Sequence, residues 1–155
     1  LWQRTFREVA ARYPEIEAEH QYVDAMAMFF VLDPSRYEVI VTNNLFGDIL
    51  TDLGAGIVGG LGVAASANIH PGRVSLFEPV HGSAPPLAGR GIANPIGAIL
   101  TAAMMLEYLG FDHAAGAVER AVRESIAVGE VTRDLGGTLS TREAGEAICQ
   151  RILRD

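Results

Sequence analysis

The run Asn43-Asn44-Leu45-Phe46-Gly47-Asp48-Ile49-Leu50-Thr51-Asp52-Leu53 constrains the fold more than any other part of the chain. Its pattern predicts a helix, and Asp48 and Asp52, at i and i+4, then project side by side from one face. Ile49, Leu50 and Leu53 beside them are apolar. Two like charges in such company must face water or share a counter-ion. Water is the commoner fate of an acidic helix edge. A hard divalent cation such as Mg²⁺ or Mn²⁺, which prefers carboxylate oxygens, would relieve the repulsion equally well. Spacing alone leaves both readings open.

The 155 residues are 49% hydrophobic and 20% charged, enough for a globular core. A net charge of −7 argues against a nucleic-acid partner, because phosphates need a basic surface. All 12 basic residues are arginines, so any step that needs a catalytic lysine cannot be completed by this chain. The single cysteine, Cys149, rules out an intrachain disulfide, fits a reducing cytoplasm and is predicted to be a small buried hydrophobe. No apolar run approaches the ~18 residues of a membrane span, and no signal-peptide pattern is present. The expectation is therefore a cytoplasmic protein without a membrane partner. The N-terminus reads as the middle of an amphipathic helix without an initiator methionine, which points to a piece of a longer protein.

Residues 1–12 read as a helix with Trp2, Phe6, Val9 and Ala10 on one side, stopped by Pro14. Residues 16–22 alternate like a strand, and 23–32 read as a helix broken at Asp33-Pro34. Val39, Ile40 and Val41 make residues 37–42 a predicted buried strand. After the aspartate helix comes a glycine-rich stretch, 54–62, then short strands near 62–65 and 75–78. A long loop, 79–91, precedes Asn94-Pro95, a predicted N-cap and first-turn pair for a helix through Leu109. Another amphipathic helix covers 113–129, and Ser140-Thr141-Arg142-Glu143 is a capping box that opens the last helix. The chain is α/β, and Gly59-Gly60 is the expected crossing between domains.

Gly54-Ala55-Gly56-Ile57-Val58-Gly59 matches G-x-G-x-x-G, with Glu78 about 20 residues on. That fingerprint works only in a tight turn directly after a strand, opening a helix. Here a helical segment of about eleven residues intervenes, so helix packing or a hinge explains the glycines better. A second constellation is Phe77-Glu78-Pro79-Val80-His81-Gly82-Ser83-Ala84-Pro85-Pro86-Leu87-Ala88-Gly89. It offers backbone N–H groups, a hydroxyl and an imidazole to a polar ligand, or it is simply a turn-rich connection. His81 and Ser83 are too close in sequence to form a nucleophile–base pair, and no G-x-S-x-G elbow surrounds the serine. His20, His70 and His113 lack metal-ligand spacing. Asp24, in Tyr22-Val23-Asp24-Ala25-Met26-Ala27-Met28, is either a helix N-cap or a third carboxylate for the same ion.

Four runs together resemble the isocitrate/isopropylmalate family of β-decarboxylating dehydrogenases. They are Tyr22 through Met28 and Asn44 through Leu53 as quoted, Glu78-Pro79-Val80-His81-Gly82-Ser83-Ala84-Pro85, and Gly91-Ile92-Ala93-Asn94-Pro95. Their order and separation match the family across nearly the whole chain. The resemblance implies the two-domain, non-Rossmann α/β fold of isopropylmalate dehydrogenases, N-terminally truncated. Residues 1–59 would end the central, dimer-forming, metal-binding domain, and 60–155 would complete the cofactor-binding domain. It implies that Asp48 and Asp52 hold Mg²⁺ or Mn²⁺, with Asp24 contributed across a homodimer interface. Asp24 and Asp48 would also serve as catalytic residues.

The resemblance further implies that Glu78, His81, Gly82, Ser83, Ala84, Ile92 and Asn94 cradle the adenosine half of NAD. The reaction implied is metal-dependent oxidative decarboxylation of a 2-hydroxy acid, 3-isopropylmalate in leucine biosynthesis. Tartrate or D-malate, homoisocitrate and isocitrate are the sister substrates, all small hydroxy-dicarboxylates or their relatives. A non-catalytic subunit of the same fold and a generic aspartate ion-binding domain are the competing classes. Two departures stand out. The family's arginine cluster, tyrosine and lysine are absent from this chain. Pro86 stands where NAD-preferring members usually carry an acid, and Pro86-Leu87 also lacks the lysine–tyrosine pair of the NADP isocitrate enzymes, while Arg90 is nearby.

Overall fold

The computed structural model describes residues 1–154. It comprises two compact units, Leu1–Leu53 and Gly54–Asp155.

The first unit is mostly helical. It holds α1 (Trp2–Ala10), α2 (Val23–Leu32), a 3₁₀ turn (Pro34–Arg36) and the first turns of α3 (Asn44–Val58). The apolar side of α1 is only loosely covered: Phe6 and Ala10 are half-buried and Trp2 and Val9 exposed. The α2 start holds where expected, with Asp33-Pro34 ending the helix. Around its C-terminal end the Arg36 guanidinium sits 4.8 Å from the Phe29 ring centroid and 3.4 Å from Glu19. The Tyr37 hydroxyl donates to Gln21 Oε1 at 2.6 Å.

Two predicted strands in this unit do not form. Residues 16–22 and 37–42 carry no strand, and Val39 and Val41 are 85% and 67% exposed. A strand exists only where a neighbour takes its N–H and C=O groups, and the described residues of this unit offer none. The β-branched pattern reads a tendency that no partner here fulfils.

The second unit begins inside α3, whose Gly54 and Gly56 are helical, while Gly59 and Gly60 end it with φ of 125° and 97°. The G-x-G-x-x-G match therefore lies in and after a helix, as its position after a helical segment implies. A 3₁₀ turn (Leu61–Val63) leads into β1 (Ala65–Asn68), which pairs antiparallel with β2 (Leu76–Pro79). The register sets Ala65 opposite Pro79 and Ser66 opposite Glu78. The predicted strands, 62–65 and 75–78, lie three residues and one residue earlier than the observed ones, since the pairing register and not the composition sets their ends.

Three helices follow: α4 (Ile96–Tyr108), α5 (Asp112–Ala127) and α6 (Thr141–Ile152). α4 packs on both strands and on α5, and α5 packs on α6. Ile96, Ala121, Val122, Val131 and Ile148 form the core, with Val63, Ile99, Leu100, Leu135 and Ile152 against it. Full burial of Ile96, Val122, Val131 and Ile148 contributes about 1.5–3 kcal/mol each. Cys149 is exposed, against expectation. α6 turns Ala144 and Ile148 inward, and the next position lies about 100° round the helix.

The capping box at α6 is present in full. Ser140 Oγ accepts from the Glu143 N–H, and the Ser140 N–H donates to Glu143 Oε2 at 2.8 Å. Hydrogen bonds from the Ser140 hydroxyl and N–H hold the Glu143 carboxyl below its ordinary range. A lowered folded value means that this contribution is complete above the unfolded carboxyl's pKa of about 4.3. It is lost as pH falls through Glu143's own lower value. Ser140→Ala should cost about 1 kcal/mol and speed amide exchange in the first turn of α6, read by hydrogen–deuterium exchange.

Candidate functional site: an aspartate pair and a pinned loop

One candidate site lies on α3, in the first unit. Asn43 caps it, its side-chain oxygen accepting from the Phe46 N–H at 3.0 Å. Leu50 turns inward and is buried, while Asp48 and Asp52 are exposed on the opposite edge. Ile49 beside them is 56% exposed. Asn44 Nδ2 donates to Asp48 Oδ2 at 2.9 Å, which orients that exposed carboxylate. Among the described residues no arginine pairs with either aspartate. An open recess of about 440 Å³ adjoins this edge, with Asn44, Asp48 and Thr51 on its wall.

Two hard, outward carboxylates one helix turn apart suit a divalent cation. They cannot saturate one. Among the described residues no three His, Cys, Asp or Glu side chains gather as a metal-ligand set, so any further protein ligand must come from another chain or segment. Asp24 is exposed in the first turn of α2. The N-cap reading of Asp24 fails: Tyr22 occupies that position, and Asp24 Oδ1 accepts from the Ala25 N–H at 2.8 Å. An acid in the first turn still complements the helix dipole.

A separate candidate site, within the second unit, is the loop that leaves β2. Glu78 lies on β2, exposed, opposite Ser66. The Val80 N–H donates to the Ala64 carbonyl at 3.1 Å, extending the hairpin by one bond. His81 is half-buried, with Nδ1 3.0 Å from the Gly82 carbonyl oxygen. A carbonyl only accepts, so Nδ1 carries a ring proton and donates in this contact. Gly82 and Ser83 are exposed. Ala84 takes the left-handed conformation (φ 41°, ψ 63°), the one non-glycine residue with positive φ among those described. The chain then turns through a 3₁₀ segment, Pro85–Leu87, with Pro86 and Arg90 exposed.

The far end of the loop is pinned. Ile92 is 44% exposed and Asn94 half-buried. The helix starts one residue later than predicted: Pro95 takes the N-cap position, and Asn94 Oδ1 accepts from the Ile96 N–H at 2.9 Å. Asn94 Nδ2 donates to Asp134 Oδ2 at 2.8 Å. The Thr141 N–H donates to the Gly91 carbonyl at 2.8 Å, and its hydroxyl to the Ala93 carbonyl. Thr132, Asp134 and Thr141 thus join the site, and sequence reasoning missed them. Thr132-Arg133-Asp134-Leu135-Gly136-Gly137 is a polar, glycine-bearing run between helices. Its composition signals a connection and nothing more.

The family model described as isocitrate/isopropylmalate dehydrogenase matches residues 1–148. The chain belongs to that family of β-decarboxylating dehydrogenases. It is 51% identical over 154 residues to a 3-isopropylmalate dehydrogenase of Thermobifida fusca, covering 98% of this chain and 43% of that protein. It is 47% identical to a probable tartrate dehydrogenase/decarboxylase of Bacillus subtilis, covering 98% of this chain and 44% of the other. The crystal structure of isocitrate dehydrogenase from Methylococcus capsulatus superposes with a TM-score of 0.88 at 52% identity, covering 94% of this chain and 44% of that one. The fold is therefore that of the isocitrate/isopropylmalate dehydrogenases. The chain spans under half the length of these relatives. None of its described helices is long and apolar enough to cross a membrane.

The left-handed Ala84 yields a direct test of the loop. Ala84→Val places a β-branched side chain at positive φ and should destabilise by about 1–2 kcal/mol. Ala84→Gly should melt at or above the parent temperature. Thermal unfolding of both variants reads the difference.

Proposed function

We propose that this chain supplies the metal-binding aspartates and the adenosine loop of an NAD-dependent enzyme that oxidatively decarboxylates 3-isopropylmalate. The observation that carries this reading is the intact Asp48/Asp52 edge, with its oriented carboxylate and no competing arginine, in a chain 51% identical to a 3-isopropylmalate dehydrogenase. A divalent cation held at that edge would supply Lewis acidity toward a substrate's hydroxyl and carboxylate oxygens. Asp48 and Asp52 provide the hard oxygens, and Asn44 engages one Asp48 oxygen and orients the carboxylate. Asp24 completes the set from a second copy of the chain. The apolar α2, with Met28, Val31 and Leu32 51%, 58% and 69% exposed, supports a homodimer contact on that helix. Asp24 and Asp48 stand nearest the reacting substrate in this reading. No lysine is present, so a proton that needs an amine must travel through a group outside this chain.

The loop carries the dinucleotide. The backbone N–H groups of Gly82, Ser83 and Ala84, the Ser83 hydroxyl and His81 Nε2 are its polar contributions, with Glu78, Ile92 and Asn94 alongside. Pro86 shapes the chain but has no side-chain acceptor for ribose hydroxyls. No basic side chain stands at residues 86–87 for a 2′-phosphate, which favours NAD, with Arg90 the nearest cation in sequence. The likeness to a probable tartrate dehydrogenase/decarboxylase at 47% identity favours one second reading: the same chemistry on a smaller hydroxy-dicarboxylate. The protein is soluble and cytoplasmic in this proposal.

Asp48→Asn in the complete enzyme should weaken Mn²⁺ binding and turnover together; unchanged Mn²⁺ titration by paramagnetic resonance removes the metal assignment. Pro86→Asp should lower the KM for NAD and worsen NADP use, since one charge-assisted hydrogen bond is worth about 1.5–3 kcal/mol. Steady-state kinetics with both cofactors measures this. A parent enzyme that prefers NADP would contradict the NAD assignment and direct attention to Arg90.

A further inference from the structure

We infer that Asp134, in the α5–α6 connection, is a positioning residue that fixes Asn94 as a hydrogen-bond donor toward the adenosine of the dinucleotide. The inference rests on the proposed dinucleotide role of the loop.

Both oxygens of Asp134 are committed. Oδ2 accepts from Asn94 Nδ2 at 2.8 Å, and Oδ1 accepts from the Thr132 hydroxyl at 2.6 Å. Thr132 is fully buried, so the carboxylate is anchored to the unit's interior. Asn94 is held equally firmly, because its own Oδ1 accepts from the Ile96 N–H at 2.9 Å. An amide with its oxygen bound to backbone and one N–H bound to a carboxylate cannot flip without losing both bonds. Its second N–H is the one polar group these contacts leave free. A residue in this loop that is oriented from two sides serves recognition better than one free to rotate, since less freedom is lost on binding.

The surroundings are built to admit the pair. A Cβ on residue 62 would lie 2.8 Å from Asp134 Oδ2 and 3.1 Å from Asn94 Cβ, so only glycine lets the 61–63 turn pass this close. Thr141 adds two bonds to the carbonyls of Gly91 and Ala93. The residues before α4 are thereby tied at three points, two to Thr141 at the start of α6 and one to Asp134 in the α5–α6 connection, and Asp134 is the one that reaches a side chain of the loop.

The test is a double-mutant cycle on binding, with NAD and ADP-ribose titrated calorimetrically against the complete enzyme. Asp134→Ala should weaken both ligands about tenfold, the equivalent of one hydrogen bond. In an Asn94→Ala background the same change should cost less than twofold, because the group it positions is gone. Asp134→Asn should recover most of the affinity: its amide oxygen can accept from Asn94 and its NH₂ can donate to the Thr132 hydroxyl. A general loss of structure would persist in the Asn94→Ala background and would not be rescued. Parent-like binding by Asp134→Ala, or additive losses in the cycle, overturns the clamp alone. A parent enzyme that binds neither ligand overturns the dinucleotide reading and the clamp with it.

Discussion

The burial of α4 is the constraint on which the second unit depends. Between Ile96 and Tyr108 the helix carries almost no polar side chain, and Thr101 satisfies its own hydroxyl by donating to the Gly97 carbonyl at 2.8 Å. Such a helix has to be covered on more than one side. The β1–β2 hairpin and the 61–63 turn cover it on one, and α5 on another. The same packing fixes both ends of the 79–95 loop. Its start is set by the hairpin ladder, and its end by the N-terminus of α4 and the bonds from Thr141 and Asp134. A long loop with two fixed ends can present backbone N–H groups at defined places without secondary structure of its own.

The aspartate edge follows a different logic. Nothing in α3 compels two carboxylates to share a face; alanine or glutamine there would favour the helix more. Leu50 and Ala55 are buried while Asp48 and Asp52 stay exposed, so packing and charge are carried by separate residues of α3. Like charges one turn apart cost a few tenths of a kcal/mol on an exposed helix. A bound cation would convert that small cost into affinity, which is the physical basis of the proposed metal site.

Local signals were the legible ones. Caps and breakers placed α2 and α6 correctly, because Ser140–Glu143 and Asp33-Pro34 act within a single turn of chain. Strands were misread where no partner exists: residues 37–42 have the right side chains and no ladder. Cys149 was assigned to the interior on residue type, whereas the phase of α6 turns it outward. The aspartates, His81 and the 78–84 run stood out as motifs, yet Asp134 did not. Its bond to Asn94 spans 40 residues of sequence, and no local pattern encodes such a pairing.

The central claim is that one chain carries both a divalent-cation edge and an adenosine loop. Anomalous diffraction from crystals of the complete enzyme grown with Mn²⁺ and NAD tests it most directly. The account predicts a manganese peak bound by Asp48 and Asp52, with Asp24 of a second copy beside it, and adenosine density along residues 78–84 and Asn94. Manganese bound elsewhere with both aspartates free, or dinucleotide seated on the 54–59 glycines, would contradict it.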